Sequence, residues 1–455
     1  MDPATQLFRP RKRKASRLQA GSELADRYDW AAVLGLVLFL GLVYLGPLLT
    51  YRTTLDNGAD SSIRQTGYLI ALGLSVYAVR GNGGKWRDFI LPGPVIATLL
   101  WCWASVFWAV DFDISLRRMF LTTLVVCTVF WSVKATGYDR TLAVVRGTLT
   151  VLLVANFVTV LVDPELGLHD DSPAMSLLGP MWRGLMAHKN FAGAACAVTI
   201  ILFLLDNEKM PKYYRWSVLL GSAVFLYATQ SKTSAGMIFV AVLAGWVFQK
   251  FSGRLRSILI VLILTLTGTF YIVGQIYAEV IKDDLLGPAA FTGRGLIWRA
   301  MLNYSADHPM LGAGFESFWN IGPSSPIYQY GTGFATMVTV GHNGYLDLLI
   351  TVGYPGLILC VFSLMIWPLV QLLITPQLVA RRAGLVCALL TFCIGHNFTE
   401  SSLYERDALV GVVLLLVATL VQFLPVNVSR ESRSRQDSQD VMRVMRRRRR
   451  SSRAH

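Results

Sequence analysis

Long apolar runs separated by short polar segments organise this chain. Runs near the ~20 residues that a bilayer demands of a helix fall at about 30–50, 65–80, 89–109, 119–134, 141–162, 191–205, 216–229, 234–250, 256–277, 344–374, 382–399 and 408–424. The pattern predicts an all-α polytopic membrane protein of about twelve transmembrane helices. The first run is too long for a cleaved signal and is expected to stay as an anchor. Basic residues test the topology, because they accumulate on the cytoplasmic side. With the N-terminus inside, thirty of the 42 Lys and Arg fall on the inner side and eleven on the outer, and Arg146 lies within a span.

That parity leaves two long segments outside: 163–190, and the 66 residues from Ala278 to Asn343 between the ninth and tenth spans. The inner loops are under about a dozen residues, and no phosphate-binding loop of the GxxxxGK[ST] type occurs, so bound ATP drives nothing here. The expected organisation is a basic cytoplasmic tail (1–29), a transmembrane region (30–424) and a second basic tail (425–455), read as disordered, with both termini cytoplasmic.

Composition agrees with the pattern. Hydrophobic residues make up 54% of the chain and charged ones 15%, against about a quarter charged in soluble domains, which excludes a cytosolic enzyme and a disulfide-stapled secreted module. The six cysteines all lie inside apolar runs and read as small hydrophobes. The net charge of +14 sits mostly in the tails, where no aromatic residues interleave the arginines to stack bases; it reads as charge lying against lipid headgroups, and no nucleic acid is expected.

Candidate chemistry gathers on the outer side. His169, His188, His308 and His342 fall there, with His396 near the outer end of the eleventh span. His342 stands where the long loop enters the tenth span, with Asn343 and Asp347 following it at i, i+4 spacing; a neutral imidazole at that place can take a proton from a hydroxyl. The tenth run, 31 residues and about 46 Å as a straight helix, overshoots a ~30 Å hydrocarbon core, and Gly353-Tyr354-Pro355-Gly356 supplies a break. Arg183, His188 and Lys189 share one outer loop; Arg294 and Arg299 stand in the other. Forked guanidinium groups suit pyrophosphate oxygens, and the alternatives are lipid headgroups or pairs with Asp283, Asp284 and Glu316. The island Ser231-Lys232-Thr233-Ser234 either completes an anion pocket or turns the chain. Asp111 and Asp113 match a two-carboxylate metal motif, although Arg117 and Arg118 can neutralise them locally; Asp163, Glu165, Asp170 and Asp171 form a patch without ligand spacing. Aromatics of the long loop (among them Phe291, Tyr304, Phe318, Trp319, Tyr328, Tyr330 and Phe334) read either as membrane anchors or as faces for sugar rings.

Together these residues resemble the O-antigen ligase and polymerase family of bacterial inner-membrane glycosyltransferases, particularly its exopolysaccharide polymerase branch, over roughly residues 100–400. The resemblance rests on His342-Asn343, nine residues, then Gly353-x-x-Gly356; on Thr292-Gly293-Arg294 with Trp298; on His308-Pro309-Met310-Leu311-Gly312-Ala313-Gly314-Phe315; and on His188-Lys189-Asn190 and Ser231-Lys232-Thr233. It implies a helical enzyme without cofactor or metal that acts at the periplasmic face on undecaprenyl-pyrophosphate-linked oligosaccharide. It further implies that His342 is the general base, that Arg183 and Arg294, with Arg299, Lys189 and Lys232, hold the pyrophosphate, and that His188, Asn343 and Asp347 support them. Membrane lipids, a chain-length regulator and export proteins are the other implied partners. The sequence departs from the ligase pattern in lacking a leucine four residues after Arg183 (Ala187) or Arg294 (Trp298). A ligase of the same fold and a transporter of lipid-linked oligosaccharide are the alternatives to a polymerase.

Overall fold

The computed structural model describes residues 30–45, 59–169, 180–207, 210–281, 294–375, 378–406 and 408–424. The described chain is helical, without strands. In order the helices are α1 (Trp30–Leu45), α2 (Ala59–Gly81), α3 (Gly93–Ser105), α4 (Phe112–Val162), α5 (Pro164–Gly167), α6 (Lys189–Leu204), α7 (Lys212–Thr229), α8 (Lys232–Lys250), α9 (Gly253–Ile281), α10 (Arg294–Asp307), α11 (Ile327–Tyr330), α12 (Gly344–Val361), α13 (Trp367–Ile374), α14 (Ala380–His396) and α15 (Leu409–Leu420). Four described helical stretches are long and apolar enough to cross a membrane: 112–162, 232–250, 253–270 and 344–374. Four shorter apolar helices, beginning at Trp30, Gly93, Lys189 and Leu409, accompany them.

Two helices break at glycines. In α4, Gly137 has φ 68° and ψ −177°, a conformation open in practice to glycine alone, so the 51-residue element is two helices meeting at that residue. In α12, Gly353 has φ 67° and ψ −178°, two residues before Pro355, which is the break the sequence predicts. An interrupted helix frees backbone carbonyls that an apolar surrounding cannot satisfy. Here they are met: Trp101 Nε1 donates to the Val352 carbonyl at 2.9 Å and Ala313 N to that of Ile350 at 2.8 Å. Tyr354 N in turn donates to Pro309. The segment 308–314 is thereby seated in the break, and a Cβ on Gly353 would lie 2.2 Å from the Met310 carbonyl oxygen.

At the centre α14 and α15 are almost wholly buried, as a helix surrounded by helices must be. α8 crosses α14 through small residues: a Cβ on Gly245 would come within 2.8 Å of the Gly384 carbonyl, so the two backbones touch. α9 is the opposite case. Leu262, Leu266 and Phe270 are exposed along it, the surface a lipid-facing helix requires.

The segment 294–343 has a small core of its own, built from Ile297, Met301, Tyr304, Phe318, Trp319 and Ile327. Several of its aromatics belong to that core. Tyr304 packs on Phe318 at 5.0 Å and on Tyr330 at 5.2 Å, and Phe318 packs on Trp319 at 4.8 Å, so these rings hold the segment together; Tyr328 and Phe334 are exposed.

Candidate active site

The site forms where α12 begins and α14 ends. Asn343 caps α12, its side-chain oxygen accepting from the amides of Tyr345 (3.1 Å) and Leu346 (3.2 Å). Its carbonyl accepts from the Asp347 N–H at 2.9 Å, one turn on, but its side chain does not bond the Asp347 carboxylate. Asp347 instead accepts from Trp319 Nε1 at 2.8 Å and from the Ser401 hydroxyl, tying the outer segment to the turn after α14. Gly344 donates its N–H to the Asn397 carbonyl at 2.9 Å, and a Cβ on it would meet Asn397 Oδ1 at 2.4 Å. The start of α12 thus lies flush against the turn 396–402.

His342, immediately before this cap, is held in the left-handed region at φ 51°. Its Nδ1 lies 3.2 Å from Glu400 Oε2. The other oxygen of Glu400 accepts from Arg294 at 2.8 Å and from Asn190 Nδ2 at 2.6 Å. Glu400 is only 4% exposed. Burial alone would push its carboxyl up; the hydrogen bond from His342 and the nearby Arg294 guanidinium outweigh that and hold it down at about 2. An ionised carboxylate only accepts, which assigns the imidazole proton to Nδ1 and leaves the Nε2 lone pair of a neutral His342 open. The side chain keeps 26% exposure.

Arg294, the first residue of α10, also donates to the Thr399 carbonyl at 2.6 Å. It is brought to His342 by the carboxylate they share, and its ion pair is with Glu400 rather than with the acids expected of it. Glu316 pairs with Arg406 at 2.7 Å. His188 caps α6, its Nδ1 accepting from Asn190 N at 3.1 Å, and its ring lies edge-on to His169 at 4.5 Å. Burial, followed by the charge of His169, lowers its basicity to about 4.

The other expected ligands have partners or settings of their own. Arg183 is buried in the outer loop and donates through Nε to the Leu166 carbonyl at 2.9 Å, in a tight turn where its own N–H bonds Gly167. Lys189 Nζ lies 2.6 Å from Met181 Sδ. Lys232 and Arg299 are exposed on α8 and α10. In the polar island before them, Ser231 bonds Ser234, whose hydroxyl lies 3.4 Å from His396 Nε2. Asp111 caps α4 through the Ile114 amide, and Arg118 donates to the carbonyls of Glu316, Trp319 and Asn320, which accounts for both without an ion pair between them. Asp170, Asp171, Asp283, Asp284, Phe291 and the two tails lie outside the described residues.

Glu400 and Thr399 are the residues that reading the sequence missed, and Asn190 was named only within His188-Lys189-Asn190, without its bond to Glu400. The signal for Glu400 was present in the polar stretch Asn397 to Ser402, which leaves the eleventh apolar run on the side assigned to His342. No curated protein matches the chain. Residues 217–361, from α7 through the break in α12, match the family model described as O-antigen ligase. That segment contains Arg294, His342 and Gly353, whereas His188 and Glu400 lie on either side of it. Over residues 217–361, then, the chain is similar to the O-antigen ligase family, which supports the resemblance drawn from the sequence.

Proposed function

We propose that the protein is a polysaccharide polymerase of the bacterial inner membrane. In this reading it has twelve spans and cytoplasmic termini, and transfers glycan from an undecaprenyl-pyrophosphate donor to a sugar hydroxyl of a lipid-linked repeat unit at the periplasmic face. One observation carries it: Glu400 holds the imidazole of His342 and the guanidinium of Arg294 on its two oxygens, beside the mouth of a membrane helix.

The chemistry follows from that arrangement. The acceptor hydroxyl gives its proton to His342 Nε2 as its oxygen forms a bond to the anomeric carbon of the donor, and the bond from that carbon to the pyrophosphate oxygen breaks, its electron pair leaving with the phosphate. Glu400 stabilises the imidazolium that forms, as a carboxylate behind a catalytic histidine does. Two N–H groups of Arg294 are engaged by Glu400 and Thr399; the remaining ones serve the departing phosphate oxygens. Pyrophosphate is already a good leaving group, so positioning and neutralisation suffice without nucleotide or metal. Arg299, Lys232 and Lys189 are assigned to the outer rim, drawing the anionic substrate toward the site.

The test is to supply purified protein in lipid with defined undecaprenyl-pyrophosphate repeat units and a chelator, without nucleotide, and to size the products. A ladder of lengthening glycans that disappears in His342→Ala supports the reading. The name of the matching family favours a ligase as the second reading: single units passed to an added lipid A core or protein would replace the polymerase with it. Substrate left untouched while an active control works would leave a transporter.

A further inference from the structure

Two imidazoles joined to Glu400, His342 directly and His188 through Asn190, present opposite hydrogen-bonding faces. His342 spends its Nδ1 proton on the carboxylate and turns a lone pair outward at Nε2. His188 does the reverse: its Nδ1 accepts the Asn190 N–H, so a neutral His188 must carry its proton on Nε2. Among the described residues that Nε2–H has no hydrogen-bond partner, and the side chain is half-buried. The two rings are linked through few atoms. Asn190, whose amide fixes the His188 tautomer, reaches Glu400 Oε1 with its side chain, and Glu400 Oε2 holds His342. The ring of His188 is close enough to feel the charge of Glu400. His169 against its edge and the burial around it keep it uncharged. With His342 in the form that the general-base reading requires, a donor at His188 and an acceptor at His342 suit a pair of sugar oxygens better than an anion.

We propose that His188 is a specificity residue for the acceptor: its Nε2–H binds the oxygen next to the hydroxyl that His342 deprotonates, so the two histidines together grip a vicinal diol and select which hydroxyl is glycosylated. This rests on the glycosyl-transfer reading above.

The experiment uses the full chain in lipid with its own lipid-linked repeat unit as donor, and as acceptor either that unit or its analogue with the hydroxyl beside the acceptor position replaced by hydrogen. Two substitutions separate the roles of His188. His188→Asn keeps a helix-capping oxygen but removes the distal N–H, whereas His188→Gln keeps a distal N–H. The readout is the ratio of the two acceptors' rates, which does not depend on how much protein folds. Wild type should favour the parent acceptor about tenfold, the worth of one hydrogen bond. That preference should vanish in His188→Asn through loss on the parent acceptor alone, and should return in His188→Gln. A preference unchanged in His188→Asn, or absent from the wild type, overturns the assignment while leaving glycosyl transfer intact. Failure of the wild type on both acceptors, with an active control, overturns the transfer reading instead.

Discussion

Replacing Glu400 with Gln tests the centre of the site at nearly constant volume. The carboxylate is 6% exposed at its side chain and faces Arg294 at 2.8 Å and His342 at 3.2 Å. Removing one partner from a fully buried ion pair typically costs about 3–5 kcal/mol. Arg294 and His342 keep 19% and 26% exposure, so water takes over part of the lost interaction and the cost here is about 1–3 kcal/mol. Catalysis should suffer more. Gln either donates to His342 Nδ1, which turns a proton onto Nε2 and blocks the base, or accepts from it without a charge to stabilise the imidazolium. A positioned base is worth roughly 10²–10⁴-fold, so kcat should fall on the order of 10²-fold or more, with KM for the donor moving far less. Glu400→Asp keeps the charge but is shorter by one carbon–carbon bond, about 1.5 Å, and should fall between the two.

The assay is the initial rate of glycan extension beside thermal unfolding of the same preparation. The pH dependence of unfolding adds a signature. A carboxyl held near 2 when folded, against 4.5 ordinarily, contributes stability that is present above pH 4.5 and is lost as pH falls toward 2. The decline of the unfolding midpoint over that window should be shallower in Glu400→Gln. A variant with lowered stability but kcat within about threefold of wild type would refute the reasoning and make Glu400 a brace between α10, α12 and α14.

Two further outcomes follow from the same structure. Gly353→Ala forces a side chain into φ 67° and against the Met310 carbonyl at 2.2 Å; it should lower stability by about 2–4 kcal/mol, seen in the unfolding temperature, and expose 308–314 to a protease. Arg183→Lys keeps the charge but loses the Nε contact to Leu166 within a buried turn, so thermal stability should drop by about 1–2 kcal/mol while KM for the lipid-linked donor changes less than twofold; a large rise in that KM with unaltered stability would restore Arg183 to the pyrophosphate.

The apolar runs alone determined that this chain is helical and belongs in a membrane, because a backbone in hydrocarbon must satisfy its hydrogen bonds within each segment and needs about twenty apolar residues to do so. The break at Gly353 was legible for a similarly local reason, since Pro355 removes a helical N–H and crowds the preceding turn while the glycines beside it free the backbone to bend. His342 stood out by its place at the end of the long loop. Its partner did not, because Glu400 is 58 residues away and a carboxylate beyond an apolar run looks alike whether it faces water or a histidine. Arg183 and Arg294 read alike for the same reason: each is a cation in an outer loop, and only packing shows one turned into a buried carbonyl and the other onto a shared carboxylate. Which aromatics of 294–343 pack on one another was not legible, because composition counts rings without saying which ones face each other. What tertiary structure decided was the pairing of polar groups over long sequence separation, since burial leaves each donor and acceptor only the partners that the fold brings within about 3 Å.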